Sequence, residues 1–204
     1  MTTSRSPNKS PAGEAALALI YFVAAFAAAH CTRGPEGVTL FWPADAIAAA
    51  AFVRFPNLRW PRAFGLLYVA GLLAERLSGA PGWGTAAAWA GTRLLDVALM
   101  TAAVTRVGRY QFPRVTLTQA SLATVLFSVL APGVAALAGG LAHHLAVGAP
   151  FRAEALRCWS SAALGACVFA PPVLLYSSEA LGRLQRPRFL AANLATLIGC
   201  VAGI

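Results

Sequence analysis

The carboxylate with the most unusual setting in the chain is Asp45, which follows Phe41-Trp42-Pro43-Ala44 and lies in the first turn of an apolar run, Ala44 to Phe55. A carboxylate held away from bulk water can accept hydrogen bonds from a ligand, pair with a cation or take up a proton, and such residues within membrane segments mark functional sites. Arg93 and Asp96 form a second candidate: three residues apart on a helix, they share a face and can neutralise each other, or Arg93 can offer its fork of donors to an anion or lipid headgroup. A third group, His30, Cys31, Glu75, His143 and His144, falls at one end of successive apolar blocks, with Trp42 and Trp83 nearby. Imidazoles and carboxylates gathered on one side could bind a cation or titrate across mildly acidic pH. The site this suggests has Asp45 as its main polar contact, Trp42 and Trp83 as walls, and His30 and Glu75 as helpers. The competing reading is structural: interfacial His and Trp form a belt, Trp159 anchors, and Asp45 stabilises a helix N-terminus. Adjacent His143 and His144 diverge by ~100° on a helix, so no metal is assigned, and no cofactor motif is present.

The elements that must position these groups are membrane helices. Of 204 residues, 58% are hydrophobic and 11% charged, and the apolar residues form long blocks without amphipathic stripes, as in a polytopic helical membrane protein. A net charge of +9 would suggest nucleic acid in a soluble chain. Here eleven of sixteen Lys and Arg fall in four clusters, Arg5 and Lys9, Arg54 to Arg62, Arg106 to Arg114, and Arg183 to Arg188, at alternate ends of the blocks. That is the positive-inside pattern, so the charge reports topology with a cytoplasmic N-terminus, and nucleic acid is not expected as a partner.

Met1 to Gly13 reads as a disordered cytoplasmic tail and residues 14–204 as one integral membrane domain. The first block, Glu14 to Thr32, spans, its Ala27-Ala28-Ala29 end leaving a cleaved signal as a rival reading. The second is broken: Pro43 suits a first helical turn, Trp42 before it favours extended backbone, and the ~18 Å run after it is too short to span. The third runs from Arg62 to Leu77 and the fourth from Trp83 to Val107. In the fifth, Thr116 to Val147, Pro132-Gly133 predicts a kink and Ala138-Gly139-Gly140 close helix contact. The sixth, Trp159 to Tyr176, is expected to be interrupted at Pro171-Pro172, and the seventh is Phe189 to Ile204. The expected fold is an all-α bundle of about seven spans with a broken second helix, and an eighth span is expected beyond Ile204 to return the chain to the cytoplasm. The four cysteines lack CxxC spacing; Cys31 and Cys158 map to the outer side, where a bridge between them is chemically open.

Phe41-Trp42-Pro43-Ala44-Asp45-Ala46-Ile47-Ala48, then Trp60-Pro61, then Trp159 to Leu164-Gly165 and Ala170-Pro171-Pro172 to Tyr176 resemble, in order and spacing, the membrane-associated sensor domain called MASE, in its first class. The resemblance covers roughly Val38 to Tyr176. It implies about eight transmembrane helices, a bacterial inner membrane location, an input role ahead of cytoplasmic histidine kinase or cyclic-di-GMP output domains, and homodimerisation through those outputs. The chain also departs from the family pattern. Ser161 and Ala162 stand where relatives usually carry Gly-Asp, Asp45 replaces a small apolar residue, Ala46 replaces a common Gly, and the fourth-block Gly-Asn-Thr pattern is only partly echoed by Gly91-Thr92 and Asp96. If the acid missing from the sixth block binds a signal elsewhere in the family, its role here passes to Asp45 or is lost. No P-loop, HExxH or nucleophile elbow is legible, so the domain itself is not expected to be an enzyme. The expected function is sensory input; the alternative is a substrate-binding membrane subunit or small transporter, because broken helices near mid-membrane also build transport sites.

Overall fold

The computed structural model describes residues 11–32, 39, 41–55, 58–80, 82–107, 122 and 125–175, with side chains described to residue 169. They form six α-helices, and no strand occurs among the described residues: α1 Pro11–Thr32, α2 Ala44–Arg54, α3 Trp60–Leu77, α4 Trp83–Val107, α5 Ala131–Val147 and α6 Phe151–Leu175. Among the described residues three segments are long and apolar enough to cross a membrane, Pro11–Thr32, Trp83–Thr105 and Leu126–Ala146.

In α1 the apolar residues are sorted by face. Glu14, Leu17, Tyr21, Ala25, Ala28 and Ala29 are buried at helical spacing, while Leu19, Ile20 and Val23 point outward into what would be lipid. At 22 residues, α1 is ~33 Å long and can span, whereas α2, with 11 residues, reaches only ~16 Å. The short helix is instead enclosed: α1, α3, α4, α5 and α6 pack in that order into a crescent, and α2 fills its hollow against α1, α4 and α6. Its alanine-rich sequence makes this fit, since Ala44, Ala46 and Ala48 to Ala51 are buried around most of its circumference. Phe41-Trp42-Pro43 leads into α2 without helical pairing, Pro43 capping the helix with φ −80° and ψ −20°, and this stretch is shielded by protein, the Trp42 amide donating to the Ser161 carbonyl of α6 at 3.3 Å.

The basic end of the bundle is closed by Glu14. Its carboxylate is buried, accepts a hydrogen bond from the Arg59 amide at 3.2 Å and pairs with Arg62 at 3.1 Å, so the start of α1 and the start of α3 share one end. At the opposite end α5 and α6 approach closely. A methyl on Gly140 would lie 2.8 Å from the Ala155 amide nitrogen, so the close contact expected at Ala138-Gly139-Gly140 is made, and only Gly fits at 140. The Pro132 distortion takes the form of a π-helical turn, Leu126–Leu130, running into α5, with the Ala131 amide bonded to the Leu126 carbonyl. The wider turn makes room for the proline ring, which would otherwise strike the carbonyl four residues back. Trp159 donates its indole N–H to the Val129 carbonyl in this turn at 2.9 Å, so its polar edge braces the π turn rather than facing only the interface.

Three boundaries differ from expectation. Residues 11–13, placed in the tail, form the first turn of α1. The sixth block begins at Phe151 rather than Trp159, because the one acid in its first turns, Glu154, is buried and paired with His143 and Arg157, so these charges do not terminate the helix. The helix also continues through Pro171-Pro172 to Leu175: the second proline's missing N–H falls beside the first, so the two interrupt neighbouring bonds rather than separate turns. The seventh block lies outside the described residues. Cys31 is exposed on α1, Cys158 is buried on α6, and both are free thiols.

Candidate functional site

Asp45 lies where the Phe41-Trp42-Pro43 stretch becomes helix, and three helices reach it. The Tyr21 hydroxyl of α1 donates to Asp45 Oδ1 at 2.9 Å, and the Trp42 indole N–H, three residues back along the chain, donates to the same oxygen at 2.9 Å. The Arg93 guanidinium of α4 faces the other oxygen, with Nη1 at 3.7 Å from Oδ2. Trp42 serves twice, because Arg93 also stacks over its ring at 4.3 Å from the centroid, with the Trp89 ring at 5.8 Å on the other side. Asp45 is fully buried and Arg93 nearly so. Tyr21 is held in place by α3, its ring lying against Gly71.

Asp96 lies one turn beyond Arg93 on α4, 1% exposed, and neither of its carboxylate oxygens meets a hydrogen-bond donor among the described residues. The expected Arg93–Asp96 ion pair is therefore replaced by Arg93–Asp45. Side chains on a helix lean toward its N-terminus, so the long Arg93 side chain reaches away from the acid three residues ahead of it and into the Trp42–Asp45 corner. A small cavity opens beside Asp96, lined by Trp89, Thr92, Arg93 and Asp96 of α4, by Pro132 to Gly139 of α5, and by Cys158 and Ala162 of α6. It has about 10 Å³ open to the centre of a water molecule, room for about one water.

Of the residues singled out in the sequence, Trp42, Asp45, Arg93 and Asp96 come together. Glu75 is buried on α3, one turn past Gly71, within electrostatic reach of Tyr21 and Arg93. The other two are elsewhere. His30 is exposed and stacks on Phe26 along α1, and Trp83 is 58% exposed, under Arg76 at the turn before α4. Both stand at helix ends, whereas Asp45 faces the middle of α1, so the site is deep and enclosed rather than shallow. His143 and His144 diverge: His143 Nδ1 meets the buried Glu154 carboxylate at 2.8 Å, and His144 Nδ1 the Ala149 carbonyl at 2.7 Å. No group of three or more His, Cys, Asp or Glu gathers to hold a metal among the described residues.

Two participants are not evident from the sequence reading. Tyr21 is the one hydroxyl between Glu14 and His30, a polar tip in an apolar block that signals a partner inside the bundle. Glu154, which joins His143 to Arg157 where α5 ends and α6 begins, stands in a stretch that reads as loop.

The arrangement can neutralise charge, bind a very small species or set the position of three helices by one carboxylate; it offers no nucleophile paired with a base. Neither the curated proteins nor the solved structures contain a significant match to the chain. The sequence model of MASE1, a family of membrane-associated sensory domains, matches residues 14–201. With nearly its whole length covered, including every element that builds the Asp45 cluster, the chain belongs to the MASE1 family.

Proposed function

We infer that this domain reads a small ligand, a proton or a membrane partner at the Asp45 cluster and passes the change to a cytoplasmic output domain, a histidine kinase or a cyclic-di-GMP enzyme working as a homodimer. The carrying observation is that one carboxylate fastens α1, α2 and α4, while the adjoining Trp42 backbone is bonded to α6. Whatever alters Asp45 alters how four helices sit together. A signal can shift such packing only by its differential affinity for the two arrangements, and a buried, charge-paired group offers a large difference.

The test is output activity, in membranes, of the signalling protein that carries this domain, comparing wild type with Asp45→Asn and Trp42→Ala at matched expression. Both variants are expected to reset the output or abolish its response. Normal signalling by both would leave the cluster as a packing device only.

The setting we assign is a bacterial inner membrane with a cytoplasmic N-terminus and about seven spans, the block Phe189 to Ile204 being the seventh. Arg54, Arg59 and Arg62 stand at the α1 N-terminal end, which supports that orientation. In a chain with Cys167 and Cys200 changed to Ser, a membrane-impermeant maleimide added from outside should label Cys31 and spare Cys158, which is 4% exposed. Labelling of Cys31 only from the cytoplasmic side would invert the topology.

A further inference from the structure

We propose that Asp45 and Asp96 form a proton-binding pair that shares one exchangeable proton beside Arg93, reached from the outer side of the membrane through the cavity between α4, α5 and α6. The idea deepens the sensory reading by naming the species bound, and the pair itself does not depend on signalling.

Asp45 Oδ1 takes two donors, but Asp45 Oδ2 and both oxygens of Asp96 have no hydrogen-bond donor among the described residues. Both residues are at most 1% exposed, and buried polar atoms in folded proteins are nearly always paired. The two carboxyl groups are close enough to hydrogen-bond each other once one carries a proton, which would satisfy an oxygen on each with a single O–H.

Charge leads to the same place. The ionisable groups that face the pair are Tyr21 from α1, Glu75 from α3, Arg93 from α4 and Cys158 from α6; α5 lines the cavity with no ionisable residue. One guanidinium thus faces two aspartates, and an uncompensated charge in an apolar interior is strongly disfavoured. One added positive charge brings Arg93 and the two aspartates to neutrality, Glu75 having an interaction of its own. A hard cation such as Mg2+ or Ca2+ would want at least six oxygen ligands, and the cavity lining offers side-chain oxygens only from Asp96 and Thr92, among Ala135, Ala136, Gly139 and Ala162. Space for about one water suits a proton and the water that delivers it. The Trp89 ring lines this cavity and also lies 5.4 Å from the His143 ring, whose Nδ1 meets Glu154, so a single aromatic ring separates the cavity from the polar cluster at that end of α5 and α6.

Asp45 and Asp96 are the two aspartates of the chain, which makes the test selective. The chain, reconstituted in lipid with carboxyl-13C aspartate, should show by infrared spectroscopy an isotope-shifted protonated-carboxyl band together with a carboxylate band at neutral pH. The first should move in D2O and vanish in Asp96→Asn, where Asp45 remains ionised against Arg93. Two carboxylates and no protonated band in the wild-type chain would overturn the proposal, as would a protonated band that persists in Asp96→Asn. The wild-type spectrum alone decides if that variant fails to fold. A shared-proton band in a protein whose output ignores Asp45→Asn would uphold the pair and refute its sensory role.

Discussion

Asp45→Ala is expected to destabilise the folded bundle by about 3–5 kcal/mol, the range for removing one partner of a buried ion pair. The carboxylate accepts the Tyr21 hydroxyl and the Trp42 indole on one oxygen and faces Arg93 with the other, so truncation strands two buried donors and a guanidinium that is 8% exposed. Asp45→Asn keeps an acceptor of the same shape and should cost less, about 1–3 kcal/mol, through the lost charge. The informative variant is the double one. In Asp45→Ala/Arg93→Met the cation is gone and an unbranched apolar side chain still covers Trp42, so much of the loss should return. Unfolding by denaturant in micelles gives the four values of the cycle. A coupling energy above ~1.5 kcal/mol supports the pair, whereas additivity within ~0.5 kcal/mol would mean that Arg93 does not depend on Asp45.

The same cluster explains what the sequence could and could not disclose. Trp42-Pro43 marks the start of the short helix, because proline acts locally on its own φ and on its predecessor, and α2 begins at Ala44 with Pro43 as its cap, where expected. The Arg93–Asp96 spacing is also a local fact, but which way Arg93 turns depends on the helix placed against α4, and spacing carries no information about neighbours. The Trp42 face and the Asp45 carboxylate, supplied by α2, decide it. For the same reason His30 and Trp83 share an end of the bundle with the start of α2 by topology, yet depth and rotation separate them from Asp45. Tyr21, from the opposite half of the hairpin formed by α1 and α2, enters by rotation alone. One departure from the pattern that the family resemblance implies gains a physical setting: Ala162 lines the cavity shared with Arg93 and Asp96, and Asp45 brings a carboxylate to that guanidinium from α2.

Gly165→Ala should break the contact between that corner and α6. The backbone of α6 passes so close to the Phe41-Trp42-Pro43 stretch that a methyl at 165 would fall on the Trp42 carbonyl oxygen, 2.6 Å from its carbon and 3.1 Å from the Pro43 nitrogen. A side chain in the way could rotate aside; backbone cannot, and this backbone is held by the Trp42–Ser161 hydrogen bond before it and the first turn of α2 after it. Within a helix, alanine gains up to ~1 kcal/mol over glycine, so propensity alone predicts stabilisation. Overpacking opposes it with about 1–3 kcal/mol or more, and backbone against backbone belongs at the upper end, giving a net loss near 2 kcal/mol. Gly71→Ala is the matched comparison: its methyl would stand 3.5 Å from Tyr21 Cε1 and 3.6 Å from the Ala90 methyl, ordinary contact, so it should be neutral or stabilising. If the two variants unfold alike, the close approach of α6 to Trp42 is wrong. If Gly165→Ala is destabilised and Gly71→Ala is not, Leu164-Gly165 is a backbone docking point. Restoring clearance by moving α6 outward would then separate it from Trp42, the residue that holds both Asp45 and Arg93, and a change at the buried carboxylate could no longer reach α6 by that contact.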